Sequence, residues 1–190
     1  MSVEALRFLH VVAVIVLGGG LLAVLVAEVR TRRQNDLDIF AELVKSIRIF
    51  YSGLVVPGAI VIGITGVVLV ASYYDGWAAF AEPWIGGMAA LYVFEFVEGN
   101  TVTRFYFGRV RRLTRDAVAA GRFTPELEAA RGQQILTFTH FLDVPLFLAM
   151  VFLGVARPDS WNAVVWAVVV AAAVAVVLSA TVPRLVRPTA

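Results

Sequence analysis

Residues 49–71 read IFYSGLVVPGAIVIGITGVVLVA, a run without a single ionisable carboxyl, imidazole or basic group. At ~1.5 Å per residue, a helix of that length crosses a ~30 Å hydrocarbon layer. Backbone inside hydrocarbon must satisfy its own hydrogen bonds, so the run is expected to be an α-helix. Similar apolar runs lie on either side, at about 5–27, 84–105, 135–156 and 162–182. The expected fold is therefore an all-α, polytopic membrane helix bundle of five spans, one domain over residues 1–190. Composition agrees, with 60% hydrophobic and 16% charged residues and a mean hydropathy of +0.84. Soluble chains average about 45–50% apolar and about 25% charged. The absence of cysteine excludes disulfides, iron–sulfur clusters, thiolate-ligated haem and a cysteine nucleophile. The first run is too long for a signal-peptide core and has no basic cluster before it, so it is expected to be retained as a span.

The charges on either side of these runs predict an orientation. Arg30, Arg32, Arg33, Lys45 and Arg48 follow the first run, and seven arginines from Arg104 to Arg131 follow the third. With Arg184 and Arg187, fourteen of the sixteen basic residues fall on one side, against Arg7 and Arg157 on the other. By the positive-inside rule the N-terminus is outside and the C-terminus cytoplasmic, in a multi-pass protein of the cytoplasmic (inner) membrane. Tyr73, Tyr74, Trp77, Trp84 and Trp161 are the expected interfacial anchors on the outer side. Asp36 reads as the start of a helix that enters the membrane and bends near Pro57. The third helix should project from the bilayer and end near Gly121, with Thr124-Pro125-Glu126 capping the next. The basic hairpin is either a topology signal touching lipid or a contact for a partner. Nothing reads as a nucleic-acid-binding module.

Gly18-Gly19-Gly20 inside an apolar helix costs about 1 kcal/mol per glycine relative to alanine, so the space should be used by a neighbouring helix or a flat ligand. Ala59 and Gly63 form a small-xxx-small pair suited to close packing. The last run has no ionisable residue between Ala163 and Val182 and reads as a packing or lipid-facing element.

Ionisable groups within a bilayer are costly and mark candidate sites. The two histidines, His10 and His140, both fall in spans, as do Glu95, Glu98 and Asp143. Residue counting puts His10 about 8 Å below the outer face and His140 about 8 Å from the inner one. One haem clamped by both would need its two nitrogen ligands, each at about 2 Å, to be nearly level, so that pair ranks second. Met88 lies near the level of His10, so His10 and Met88 are the candidate axial pair for a haem. Glu98 is level with His140, while Glu95 and Asp143 fall near the midplane. Glu95–Glu98 and His140–Asp143 are each three residues apart, on one helical face. Together the four could relay protons, hold a metal ion, or bind the polar head of a quinone. They could equally form a satisfied structural network, with Asn100 and Arg104 neutralising the carboxylates. Pro145 frees the carbonyl of Phe141 beside this group.

The stretch Leu6-Arg7-Phe8-Leu9-His10-Val11-Val12-Ala13-Val14 resembles the first helix of HemJ-type protoporphyrinogen oxidases. Pro83-Trp84-Ile85-Gly86-Gly87-Met88, Phe107-Gly108-Arg109-Val110-Arg111-Arg112-Leu113 and Asp143-Val144-Pro145 extend the likeness. The chain is also similar to functionally unassigned bacterial membrane families, including relatives of the CopD copper-resistance proteins. The HemJ resemblance implies a b-type haem held by His10 and a porphyrin or quinone as partner. It departs at Met88, where those proteins carry lysine, and in having a fifth span, so the oxidase activity is not carried over. The expected function is a haem b-binding membrane redox protein. The alternative is a membrane assembly factor, a subunit of a homo-oligomer or larger complex, or a metal-handling protein without haem.

Overall fold

The computed structural model describes residues 2–131 and 134–185, with the side chains of 134–137 and 183–185 left aside. Of the expected basic tail, Arg187 and the side chain of Arg184 fall outside the described residues. The described elements are all helical. Helix α1 spans Val3–Thr31, α2 Leu37–Phe50, α3 Val56–Tyr73, α4 Pro83–Glu98, α5 Arg104–Ala120, α6 Pro125–Arg131, α7 Gln134–Ala156 and α8 Trp161–Leu185. Among the described residues four helices are long and apolar enough to cross a membrane: Val3–Thr31, Leu37–Tyr73, Phe138–Ala156 and Trp161–Val182. The expected span at 84–105 is occupied by α4, which has only 16 residues before its geometry changes.

Leu37–Tyr73 is one continuous rod because α2 runs into α3 through a π-helical turn, Tyr51–Val55. Pro57 has no N–H and its ring crowds the preceding turn. The ladder widens just before it, and the Val56 N–H reaches the Tyr51 carbonyl, five residues back. A second π turn, Gly99–Thr103, joins α4 to α5 in the same way, with the Arg104 N–H on the Gly99 carbonyl. The expected caps are present. Asp36 Oδ1 accepts from the backbone N–H groups of Asp38 and Ile39 at 2.9 and 3.1 Å. Gly121 closes α5 in the left-handed region at φ 66°, a conformation that L side chains avoid. Thr124 Oγ1 accepts from the Leu127 N–H at 3.4 Å, and the helix it opens is the short α6, separate from α7.

Close approach explains the glycines. A Cβ on Gly58 would lie 3.0–3.1 Å from the Leu17 backbone, and one on Gly20 would lie 3.1 Å from the Val55 backbone nitrogen. A Cβ on Gly18 would lie 2.7 Å from the Phe147 ring of α7, while one on Gly19 would meet nothing within 4 Å. Gly63 makes room for the Tyr92 hydroxyl, which donates to the Ala59 carbonyl at 3.0 Å. Apolar side chains gain nothing by leaving lipid, so such tight contacts are what hold helices together there.

At the arginine-rich end the chemistry changes. Helices α2, α5 and α6 enclose a second core in which Phe40, Ala117, Leu127 and Ala130 are almost wholly buried. Each fully buried large apolar side chain contributes about 1.5–3 kcal/mol if the alternative is water. Arg131 locks this layer. Its guanidinium lies 4.9 and 5.0 Å from the Phe40 and Phe123 rings and donates to the Thr31 and Gln34 carbonyls at 3.0 Å each. At the opposite end α7 and α8 form a hairpin turned at Arg157, whose guanidinium lies 5.0 Å from the Trp84 ring.

Candidate functional site

The two π turns touch. The Tyr51 hydroxyl donates to the Gly99 carbonyl at 2.8 Å, tying the widened turn of one rod to that of the other. A π turn brings residues five apart over one another, and Thr103 accordingly sits against Glu98. Its hydroxyl lies 3.0 and 2.9 Å from the two carboxylate oxygens and donates to them. π turns of this kind are frequent at functional sites.

Between these turns, α1 and α7 lies a cavity of about 70 Å³. Glu95 and Glu98 enter it from α4 and Asp143 from α7, and all three carboxylates are half-buried. None of its described lining residues is Lys, Arg or His. Glu95 and Asp143 accept no hydrogen bond from any described residue. The neutralising partners expected from sequence are elsewhere. Asn100 Nδ2 donates back to the Phe96 carbonyl at 2.8 Å, and Arg104 is exposed and forms no ion pair among the described residues. A water needs about 10–15 Å³ of such space, and drug-sized ligands about 300–1,000 Å³. The cavity therefore suits a few waters.

His140 does not line this cavity with the carboxylates. Its ring is 4% exposed and stacks on Phe107 with centroids 4.7 Å apart. Nδ1 meets Glu28 Oε2 at 2.8 Å, across 112 residues. The other Glu28 oxygen accepts from Arg32 at 2.7 Å. A second cavity, about 30 Å³, is lined by Glu28, Arg32, Tyr106, Phe107 and Arg131. His140 Nε2 is buried and has no hydrogen-bond partner. Glu28 is the residue that sequence reasoning missed. It falls just past the apolar run and next to Arg30, Arg32 and Arg33, where a carboxylate reads as part of the boundary. The available signal was its four-residue spacing from Arg32, a helical ion-pair spacing.

His10 lies on the other side of the bundle. Its Nδ1 is 2.8 Å from Thr65 Oγ1, and that hydroxyl donates to the Val61 carbonyl at 2.6 Å. The hydroxyl hydrogen being committed, Thr65 accepts from Nδ1–H, and Nε2 carries the lone pair. Such an arrangement orients a metal-ligating histidine. Met88 packs against the α4–α7–α8 cluster that includes Leu91, Leu146 and Leu153, and its sulfur lies 3.3 Å from where a Gly154 Cβ would be. Among the described residues no group of three or more His, Asp or Glu side chains could hold a metal ion.

No curated protein and no solved structure matches the chain. The DUF2269 family, described as a predicted integral membrane protein, matches residues 4–158. That stretch includes α1 to α7, both cavities and His10, and stops short of α8. The chain therefore belongs to the DUF2269 family of predicted integral membrane proteins.

Proposed function

We propose that the chain is a five-span protein of the cytoplasmic membrane that takes up and releases protons at the cavity formed by Glu95, Glu98 and Asp143. The fifth span is α4 with its π turn. Residues 83–103 rise about 31 Å as a helix, enough to cross the hydrocarbon. The N-terminus lies outside and the C-terminus in the cytoplasm, since the arginine-rich segments around α2, α5 and α6 share one end of the bundle.

The observation that carries this reading is the acidic cavity without a basic lining residue. Two carboxylate charges about 5 Å apart repel by about 3 kcal/mol at an effective dielectric of ~20. Three around one cavity invite a proton to relieve that repulsion. The space admits the waters that would carry protons, and falls short of a porphyrin or quinone head. The test is proton flux into liposomes containing the purified chain and a pH-sensitive dye, driven by a potassium diffusion potential. Flux above that of empty liposomes, reduced at least tenfold in Glu95→Gln or Asp143→Asn, is the expected result. Flux equal to that of empty liposomes refutes the reading.

A second reading rests on the Thr65 contact. It leaves His10 Nε2 free to supply one axial ligand of a haem b, as the HemJ resemblance implies. The bound group would supply one-electron chemistry. An absorption spectrum of the detergent-purified protein tests this. A Soret band lost in His10→Ala supports it, and a colourless protein that takes up no added haem removes it.

A further inference from the structure

We infer that α5 carries a docking surface for an anionic phospholipid, whose phosphate sits over Gly108 between Arg104, Arg111 and Arg112. The inference rests on the five-span reading for the level of α5 and is independent of proton exchange. Helix α5 has five arginines in 17 residues, Arg104, Arg109, Arg111, Arg112 and Arg115, and all five are exposed. Among the described residues the ion pairs are made by Arg32, Lys45, Arg131 and His140, and none of the five takes part. Asp116, the one acid on the helix, pairs with none of them. The packed face of α5 is the other one, where Val110, Thr114 and Ala117 are buried. The outward face therefore carries positive charge that no described side chain compensates.

The second observation is Gly108. Glycine is a poor residue for a helix interior, and packing does not require it, since a Cβ there would meet nothing within 4 Å. Residues three and four apart are neighbours on a helix surface. The bare patch at Gly108 is thus bordered by Arg104, Phe105, Arg111 and Arg112. Helical side chains lean toward the N-terminus, which directs Arg111 and Arg112 back over the patch. Guanidinium groups bind phosphate oxygens through paired N–H donors, and the missing side chain lets a phosphate approach the helix between them.

The level of the patch selects a lipid phosphate over one in solution. With residues 83–103 crossing the hydrocarbon, Arg104 stands at its edge and Gly108 about 8 Å beyond, at headgroup depth. Phe105 borders the patch on the hydrocarbon side and is 76% exposed, which suits it to an acyl chain.

To test this, the purified full chain is equilibrated with detergent micelles carrying equal phosphatidylglycerol and phosphatidylcholine. Free micelles are then removed and the retained lipids counted by mass spectrometry. At least fivefold enrichment of phosphatidylglycerol is expected. Arg111→Gln combined with Arg112→Gln should abolish it. Gly108→Leu keeps every charge and favours the helix, yet fills the patch and should lower the enrichment at least threefold. Arg30→Gln combined with Arg33→Gln, two exposed arginines at the end of α1, should leave it within twofold. Equal retention of the two lipids overturns the inference, as does an unchanged Gly108→Leu variant or a control pair as damaging as the α5 pair. Displacement by excess inorganic phosphate, but not by chloride of equal ionic strength, overturns the commitment to lipid. Sidedness is read separately. The chain has no cysteine, so Asn35→Cys gives a single site at the arginine-rich end for a membrane-impermeant maleimide. Labelling in intact spheroplasts refutes the cytoplasmic orientation, while lipid retention in detergent, which needs no sidedness, still decides the docking surface.

Discussion

Glu28 and Asp143 flank the same imidazole and are treated oppositely. Glu28 is 4% exposed and held on both oxygens, by His140 and by Arg32. Asp143 faces a cavity in the company of two more carboxylates and no basic lining residue. The first arrangement compensates its charges where they are formed. The second leaves them to be compensated by whatever enters. Burial alone does not separate a paired carboxylate from an unpaired one, because the partner set decides.

The difference can be broken at the paired side first. Glu28→Ala leaves Arg32 and the imidazole facing each other without their shared carboxylate. Breaking a buried pair in this way costs about 3–5 kcal/mol, so thermal unfolding in detergent should move well below that of the native chain. Arg131→Ala comes next. It removes two bonds to carbonyls and two ring contacts from a partly exposed side chain, a loss of about 2–3 kcal/mol. Protease nicking near the α5–α6 connection should report the loosened layer before the membrane helices unfold. Smallest is the effect on the unpaired side. Glu95→Gln or Asp143→Asn removes repulsion and breaks no hydrogen bond among the described residues, so stability should stay within about 1 kcal/mol of native or rise. A large loss of stability from either change would show that the cavity carboxylates are structural partners after all.

Much of the fold was legible in local sequence. The apolar runs located α1, the α2–α3 rod, α7 and α8, because hydropathy over about 20 residues is all that membrane crossing requires. Asp36, Gly121 and Thr124 marked helix ends, since capping is a bond between a side chain and its own next turn. The carboxylate trio was legible too, as Glu95 and Glu98 share a helix face and Asp143 falls at a similar depth. The expectation that His140 would face Glu98 did not describe where the ring goes. Depth places a residue along the membrane normal but not around the helix axis, and His140 turns toward α1.

The sequence by itself determined an all-helical membrane chain, four of its candidate crossing segments, its arginine-rich end and the set of acids and histidines within the apolar runs. These follow from hydropathy, charge and capping, which act over a few residues. Only the tertiary structure decided that Tyr51 joins two π turns, that Glu28 and not Glu98 pairs with His140, and that Met88 packs beside Gly154. Those outcomes depend on which helix faces meet, and faces are chosen by close packing at Gly18, Gly20 and Gly58 between segments far apart in the chain.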